Sequence, residues 1–287
     1  MAEVTFAPSQ VAPGDRRVRK ARATTASLSM RTVALLYIAV LVLVPVVILF
    51  YRTFQPGLSS FFSALSDPYA QHAFEVTFIV GAWAVAINTL FGVAIAMLLA
   101  RHDFPGKSLL NAFIDLPVAV SPIVVGLAFV LVFGTGGWFG SAFGSGPLQI
   151  IGAKPGMVLV TVFLSLPLVV RAVIPVLEQA GTDQEKAANS LGASWFTTFR
   201  RITLPIIRPA LSYGVVLCTA RCIGEYGAVL VVSNNLLGQT ETAPLHVYNE
   251  IVQNQDTNAA YAVAFVLVLI AFAAILLSAY IRKRQAR

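Results

Sequence analysis

The fold is decided by a stretch of twenty residues without a charged side chain, TVALLYIAVLVLVPVVILFY, at residues 32–51. A helix of that length spans about 30 Å, the thickness of the hydrocarbon core of a bilayer. Only 11% of the 287 residues are charged and 57% are hydrophobic, whereas a soluble domain averages about 25% charged residues. The stretch predicts a transmembrane helix, and the composition predicts an integral membrane protein.

Five further apolar runs of similar length follow along the chain. Lipid offers no partner to backbone N–H and C=O groups, so each run is predicted to be a helix. The six runs cover residues 32–51, 76–100, 112–133, 157–176, 209–232 and 259–281. The predicted fold class is an all-α membrane protein with six transmembrane helices.

Lysine and arginine residues indicate the orientation of these helices, because cytoplasmic loops are enriched in them. Sixteen of the 20 basic residues lie in the two terminal tails and in the connections after the second and fourth runs. The connections on the other side hold only Arg52 and Lys154. Both termini are therefore predicted to be cytoplasmic, which an even number of helices also requires.

The same pattern divides the chain into four parts. They are a basic cytoplasmic tail at 1–30, the first transmembrane helix with its outer loop at 31–73, a transmembrane core at 74–281 and a basic cytoplasmic tail at 282–287. The first tail has no apolar periodicity, and we expect a mobile basic arm near anionic lipid. The core contains a long cytoplasmic connection at 178–208.

Local signals within that connection predict where a helix begins and ends. The sequence Thr182-Asp183-Gln184-Glu185 fits a capping box, in which Thr182 caps the helix and Glu185 reaches back to the N–H of Thr182. The residue before a proline avoids the helical region. Leu204-Pro205 is therefore predicted to end the segment before the fifth transmembrane helix.

Apolar side chains within the same connection predict an amphipathic helix. Leu191, Trp195 and Phe199 recur every four residues, which places them on one helical face. Gly192 interrupts this pattern and predicts either a bend or a close approach of two backbones. Such a helix either rests on lipid or docks with a cytoplasmic partner, and the pattern alone leaves both interpretations open.

Residues 186–205 resemble the "EAA" loop of permease subunits of ABC importers. The resemblance rests on Ala187-Ala188, on Gly192 and on Ile202-Thr203-Leu204-Pro205 at the spacing of that loop. It implies a helix that couples the permease to a separate ATPase. The residues assigned to coupling are Glu185, Lys186, Ala187, Ala188, Gly192, Ile202, Leu204 and Pro205. The glutamate position of the family holds Lys186, and the acid is displaced by one residue to Glu185.

Four further motifs resemble the permeases of sulfate/thiosulfate ABC importers. They are FPGK at 104–107, DLPVAVSP at 115–122, LVVR at 168–171 and ARCIGEYGA at 220–228. The Val-Ser-Pro at 120–122 resembles the CysW type more than its CysT-type sister. The resemblance runs from about residue 30 to the C-terminus. It implies the type I ABC importer permease fold in a bacterial inner membrane, with transport of sulfate or thiosulfate by alternating access.

The resemblance also implies the partners of the chain. They are two cytoplasmic ATPase subunits, a second permease of the CysT type, a periplasmic sulfate-binding protein and membrane lipid. Another oxyanion, such as molybdate or phosphate, stays open as the substrate. The basic residues lie in short clusters between apolar runs, which argues against a nucleic-acid partner.

Two arginines inside the apolar runs are candidates for the transport pathway. A central arginine costs about 2.5–3.5 kcal/mol on insertion scales, so Arg171 and Arg221 need a partner or a wet cavity. Glu225 lies four residues after Arg221 and can meet it on one helical face, and Asp115 is the candidate partner of Arg171. The pairs either hold helices together or guide an anion, because guanidinium forks suit tetrahedral oxyanions.

Missing motifs narrow the function classes. No Gly-x-x-x-x-Gly-Lys-Ser/Thr sequence occurs, so ATP is expected on a partner subunit, and the chain is expected to be neither an enzyme nor the holder of a cofactor. An intramembrane enzyme would need a nucleophile–base pair or a metal cluster, and none is recognisable. An ion-gradient-driven transporter stays an alternative because of Asp115 and Glu225.

Histidines and cysteines give no sign of a metal site. His72, His102 and His246 lie in different loops. Cys218 and Cys222 are four residues apart inside an apolar run, where free cysteines behave as small hydrophobic residues.

Overall fold

The computed structural model describes residues 13–146 and 148–285 and is almost entirely helical. We number the helices in chain order. They are α1 Pro13–Phe54, α2 Leu58–Ser66, α3 Pro68–Arg101, α4 Lys107–Ala119, α5 Pro122–Phe133, α6 Gly140–Phe143, α7 Lys154–Ala180, α8 Asp183–Ser190, α9 Trp195–Thr198, α10 Leu204–Ile223, α11 Gly227–Val232, α12 Ala243–Val252 and α13 Thr257–Gln285. A π-helical turn, Phe199–Thr203, joins α9 to α10.

The chain divides into two compact units, residues 1–55 and 56–287. The described part of the first unit is α1, whose span Met30–Phe54 has a mean hydropathy of 3.2. The basic segment is predicted to be a mobile arm, and its described part, from Pro13 onward, is helical. After Gly14 it contains neither glycine nor proline up to Pro45, so nothing interrupts a helix there. The first twelve residues of the predicted arm lie outside the described residues.

The second unit contains the remaining candidate membrane spans. Within the described residues, four of its helices are long and apolar enough to cross a bilayer: Pro68–Arg101, Lys154–Ala180, Trp195–Ile223 and Thr257–Ile281. Helices α4 and α5 are long and apolar enough to cross a bilayer only when they are taken together as one span. Together with α1 this makes six spans when the pair is taken as one, in agreement with the six predicted runs.

The third predicted span is not a straight helix, which corrects the sequence-based prediction for residues 112–133. The chain bends by 115° between α4 and α5. Ser121 has an extended backbone, and Pro122 begins α5. The break follows from Pro122, because a proline disfavours the helical region for the residue before it.

The fifth predicted span is also corrected, at both of its ends. Leu204-Pro205 does not stop the preceding segment, because α9, the π turn and α10 form one continuous helix, Trp195–Ile223. Pro205 comes just after the π turn Phe199–Thr203, so the helix is locally widened there rather than ended. The helix then ends at Ile223 rather than at residue 232, and α11 begins only at Gly227.

Helix α7 lies at the centre of the second unit, packed against α3 and α10. Glycines allow this close packing. A Cβ atom at Gly92 would lie 2.8 Å from the Cγ1 of Val169, and one at Gly214 would lie 2.9 Å from the Cβ of Ala172. Only glycine fits at such contacts, as is common between transmembrane helices.

Polar side chains add a link between these helices. The Nδ2 of Asn88 on α3 donates to the Oγ of Ser165 on α7 at 2.8 Å, and Cys222 on α10 lies 3.3 Å from the same oxygen. Cys218 and Cys222 are buried free thiols, which confirms their prediction as small core residues.

Candidate functional site

The long connection folds as two helices separated by a sharp turn. Helix α8 ends at Ser190, and Gly192 has a φ of 81°. A left-handed backbone of this kind favours glycine. A Cβ at Gly192 would meet nothing within 4 Å, so of the two predicted roles of this glycine, the bend is confirmed. We call residues 182–205 the coupling segment.

The predicted capping box is wrong in its side-chain contacts. Thr182 does occupy the N-cap of α8, but its side chain makes no capping hydrogen bond. The carboxylate of Glu185 lies beside the guanidinium of Arg101 and accepts a hydrogen bond from Thr203. A charge-assisted contact with arginine is stronger than a hydrogen bond from a neutral backbone N–H, and it places the carboxylate inside the protein.

Three large apolar side chains of the coupling segment are exposed. Leu191 is 89% exposed, Trp195 70% and Phe196 62%. The rings of Trp195 and Phe199 stack with centroids 5.7 Å apart and an interplanar angle of 6°, so these two residues share a face as predicted. Leu191 lies before the turn at Gly192. Clustered exposed apolar residues mark interaction surfaces.

The other residues assigned to coupling stabilise this shape or lie beside the surface. The carbonyls of Ala187 and Ala188 accept the N–H of Leu191, and that of Ala188 also accepts the N–H of Ala193, which closes the end of α8. Four other residues differ in exposure: Lys186 and Pro205 are exposed and Ile202 and Leu204 are half-buried. Contact of any of them with an ATPase stays a prediction.

Arg171 and Asp115 are brought together from α7 and α4. The Nε of Arg171 donates to Oδ1 of Asp115 at 2.9 Å, and Nη2 donates to Oδ2 at 2.6 Å. This is the bidentate geometry that arginine forms with carboxylates. The pair lies at a recess of about 640 Å³ that Tyr213 also lines. Both side chains are at least 40% exposed in the isolated chain.

Arg221 and Glu225 are brought together at the break between α10 and α11. The Nη1 of Arg221 donates to Oε2 of Glu225 at 2.5 Å. The Oε1 of Glu225 accepts the N–H of Ala228 at 3.0 Å, so the same carboxylate caps α11. The Glu225 side chain is 2% exposed, whereas that of Arg221 is 38% exposed. The acid is therefore held inside the protein, and the guanidinium is the more exposed member of the pair.

A second cluster of charged residues, formed by the end of the connection before α12 and by α12 itself, was not predicted. The carboxylate of Glu241 is 1% exposed, lies 3.2 Å from Nδ1 of His246 and accepts from Asn249 at 2.7 Å. Nε2 of His246 lies 3.6 Å from Glu250. Burial lowers the pKa of His246, but the hydrogen bond and charge of Glu241, with Glu250 and Asp67, outweigh it and raise the pKa above its usual value.

Arg101 was not predicted as a site residue either. It entered the sequence argument only as one of the basic residues, and its contact with Glu185 joins positions 84 residues apart. No local spacing signals such a contact. Of the acids around His246, Glu241 and Glu250 lie within ten residues of it, and their clustering was the signal available there, whereas Asp67 is distant in the sequence.

Six spans, an exposed helical segment between the fourth and fifth of them, and arginine–carboxylate pairs within the spans define a permease of the type I ABC importer class. The family described as binding-protein-dependent transport system inner membrane component matches residues 89–287. The chain belongs to this family. It is an all-α permease of the inner membrane.

Relatives with curated names agree with this assignment. The chain is 44% identical to the sulfate transport system permease protein CysW of Synechococcus elongatus, over 91% of each chain. It is 41% identical to the CysW protein of Escherichia coli K12, over 88% of this chain and 86% of that protein. It is 34% identical to the sulfate transport system permease protein CysT of Salmonella typhimurium, over 84% and 86% of the two chains.

A solved structure has the same fold. It is a bacterial alginate ABC transporter in complex with an alginate pentasaccharide-bound periplasmic protein. One of its chains superposes with a TM-score of 0.75 over 94% of this chain and 98% of that chain, at 14% sequence identity. At this identity the likeness establishes the fold alone.

Proposed function

We propose that the chain is the permease subunit of an importer that moves sulfate or thiosulfate across the inner membrane, driven by ATP hydrolysis on a separate subunit. The observation that carries the substrate class is the pair of partly exposed guanidiniums, Arg171 and Arg221, within the spans. Arginine offers a planar fork of donors that matches tetrahedral oxyanions. The names of the relatives with 44% and 41% identity support sulfate within that class.

The proposed assembly contains two permeases, two ATPases and a periplasmic sulfate-binding protein. The similarity to both CysW and CysT proteins supports a second permease of the CysT type. With both termini in the cytoplasm, the coupling segment faces the ATPase. The chain itself binds no ATP, holds no cofactor and catalyses no reaction, in line with the absence of a phosphate-binding loop from the sequence.

The proposed mechanism is alternating access. Closure of the ATPase pair displaces the coupling segment, and the transmembrane helices rearrange around the pathway. Each pathway arginine holds a carboxylate when no anion is present. An arriving oxyanion competes with Asp115 for the guanidinium of Arg171, and weak binding is required because the anion must leave again.

Uptake of radiolabelled sulfate tests this function. A strain that lacks the subunit is compared with and without the restored gene, with unlabelled thiosulfate, molybdate and phosphate as competitors. We expect restored uptake that depends on ATP, is reduced by excess thiosulfate and is little affected by phosphate. Unrestored uptake despite verified membrane insertion would contradict the sulfate assignment.

Another tetrahedral oxyanion is the second candidate substrate. A guanidinium fork recognises oxygen geometry and charge, which molybdate and phosphate share with sulfate. Stronger competition by molybdate or phosphate than by thiosulfate, in the same uptake assay, would identify that substrate.

A further inference from the structure

The acid of the coupling segment is used inside the permease. Oε1 of Glu185 accepts the hydroxyl of Thr203 at 2.8 Å and Nη2 of Arg101 at 3.2 Å. Oε2 of the same carboxylate lies 3.1 Å from Nε of Arg101. Both carboxylate oxygens are therefore occupied by groups of this chain.

Arg101 extends the contact to a third helix. Its Nη1 donates to the carbonyl of Leu177 at 2.8 Å, close to the end of α7. The side chains of Arg101 and Glu185 are only 8% and 18% exposed. One ion pair thus joins the end of α3, the end of α7, helix α8 and the π turn before α10.

Helix α8 has little else to hold it in place. Every residue of α8 is described, and none of them is buried. Its other side-chain contact with the following segment is a hydrogen bond from Thr198 to Asn189 at 3.3 Å. Because apolar packing is almost absent, the polar contacts of Glu185 determine where α8 lies relative to the transmembrane helices.

The neighbouring lysine is in the opposite situation. Lys186 is exposed, and within the described part of the chain its ammonium group has no ion pair. Adjacent helical residues point about 100° apart, so the cation faces outward while the acid faces inward. Because the acid stands at position 185 and the lysine at 186, the carboxylate makes its contact inside the permease and the ammonium group is left on the surface.

We propose that Glu185 and Arg101 form the mechanical tie through which movement of α8 reaches α3, α7 and α10. Glu185 is a positioning residue that does not touch the ATPase. This inference rests on the proposed docking of the coupling segment. A displaced α8 carries the carboxylate with it, and the ion pair with Arg101, with its hydrogen bond from Nη2, moves the ends of α3 and α7 in the same direction.

Charge exchange in the reconstituted full transporter tests the tie. Uptake and ATP hydrolysis are measured on the same proteoliposomes for Glu185→Arg, for Arg101→Glu and for the double exchange. We expect each single change to lower the anion transported per ATP by about tenfold, within the usual range of coupling energies. The ATPase should still co-purify. The double exchange should recover most of the ratio, though not all, because the carbonyl of Leu177 loses its donor.

A matched control lies on α7, outside the coupling segment. Glu178→Arg makes the same change of charge at an exposed position near the end of α7, and the ratio should stay at the wild-type value. Glu185→Gln provides a milder variant in case the exchanges reduce folding. Its amide keeps an acceptor for Thr203 but loses the charge, so we expect an intermediate ratio.

Three results would overturn the tie. They are an unchanged ratio in Glu185→Gln, a double exchange no better than the single ones, and loss of the co-purifying ATPase in Glu185→Arg, which would place Glu185 in the interface with the ATPase. Failure of the proposed function has a different signature, since the wild-type transporter itself would then show no ATP-dependent uptake.

Discussion

The carboxylate of Glu225 has two roles: it pairs with Arg221 and it caps α11. Breaking a buried ion pair from one side usually costs about 3–5 kcal/mol, because a charge is left unpaired. Arg221 is more than a third exposed, so solvent screens its charge. We therefore expect removal of Arg221 to lower the free energy of unfolding by only about 1–3 kcal/mol.

Substitution of Arg221 alone, compared with substitution of both Arg221 and Glu225, separates a structural role of Arg221 from a role in transport. Arg221→Ala should lower the amount of folded permease and reduce uptake further than that loss explains. Arg221→Ala with Glu225→Gln removes the unpaired charge and should restore the amount, measured by size-exclusion chromatography, but not the uptake. Recovery of uptake in the double variant would make the pair purely structural.

The buried His246 predicts a pH dependence of stability. The pKa of His246 is raised in the folded protein because the neighbouring acids outweigh the effect of burial. A raised pKa stabilises the fold fully below the usual histidine value of about 6.5, and this contribution is lost as the pH rises through the raised value. The temperature at the midpoint of thermal unfolding of the purified permease should therefore decrease as the pH rises from neutral to alkaline.

A second histidine provides the control for this effect. His246→Gln should remove that part of the pH dependence, whereas His72→Gln should leave it unchanged. His72 contacts only the exposed Glu75, at 3.6 Å. Equal thermal profiles of wild type and His246→Gln across the pH range would refute the prediction.

At the scale of elements, the coupling segment places its apolar residues outward and its acid inward. Gly192 has a left-handed backbone, so Gly192→Trp adds backbone strain as well as bulk, and a loss of function there has two explanations. Leu191 is 89% exposed, and a change at this position alters the surface alone.

Leu191→Asp is the cleaner test of docking. We expect normal amounts of permease in the membrane, loss of the co-purifying ATPase and loss of uptake. The reason is that the aspartate would place an unpaired charge where the docked ATPase covers Leu191. Leu237→Asp changes an exposed leucine in the connection between α11 and α12 and should leave ATPase binding intact. Normal co-purification with Leu191→Asp would exclude this part of the segment from the interface.

At the scale of the whole molecule, the distribution of basic residues predicts that the coupling segment and α2 lie on opposite sides of the membrane. Ser63 on α2 and Ser190 on α8 are both exposed. The two native cysteines are buried, so they provide a low background for thiol labelling.

Labelling from outside tests this orientation. A membrane-impermeant maleimide should modify Ser63→Cys in spheroplasts and should modify Ser190→Cys only after permeabilisation. The inverse pattern would mean that both termini face the outside, contrary to the rule for positive charges. The unsubstituted protein serves as the blank in both conditions.

Local features of this protein were predictable from the sequence. Each apolar run predicts a helix because lipid leaves the backbone no other partner, and the six runs correspond to six spans when α4 and α5 are taken together. The contact of Arg221 with Glu225 follows from the four-residue spacing on one helix. The bend at Gly192 follows from the backbone freedom of glycine.

The tertiary structure decided which distant groups meet. The bend of 115° between α4 and α5 lies in a run that hydropathy reads as one span, so hydropathy alone could not locate it, although Pro122 accounts for it. Glu185 was predicted to cap its own helix, but it pairs with Arg101, 84 residues away. The physical reason is that a carboxylate binds the strongest donor within reach, and that donor arrives only when the ends of α3, α7 and α10 pack together.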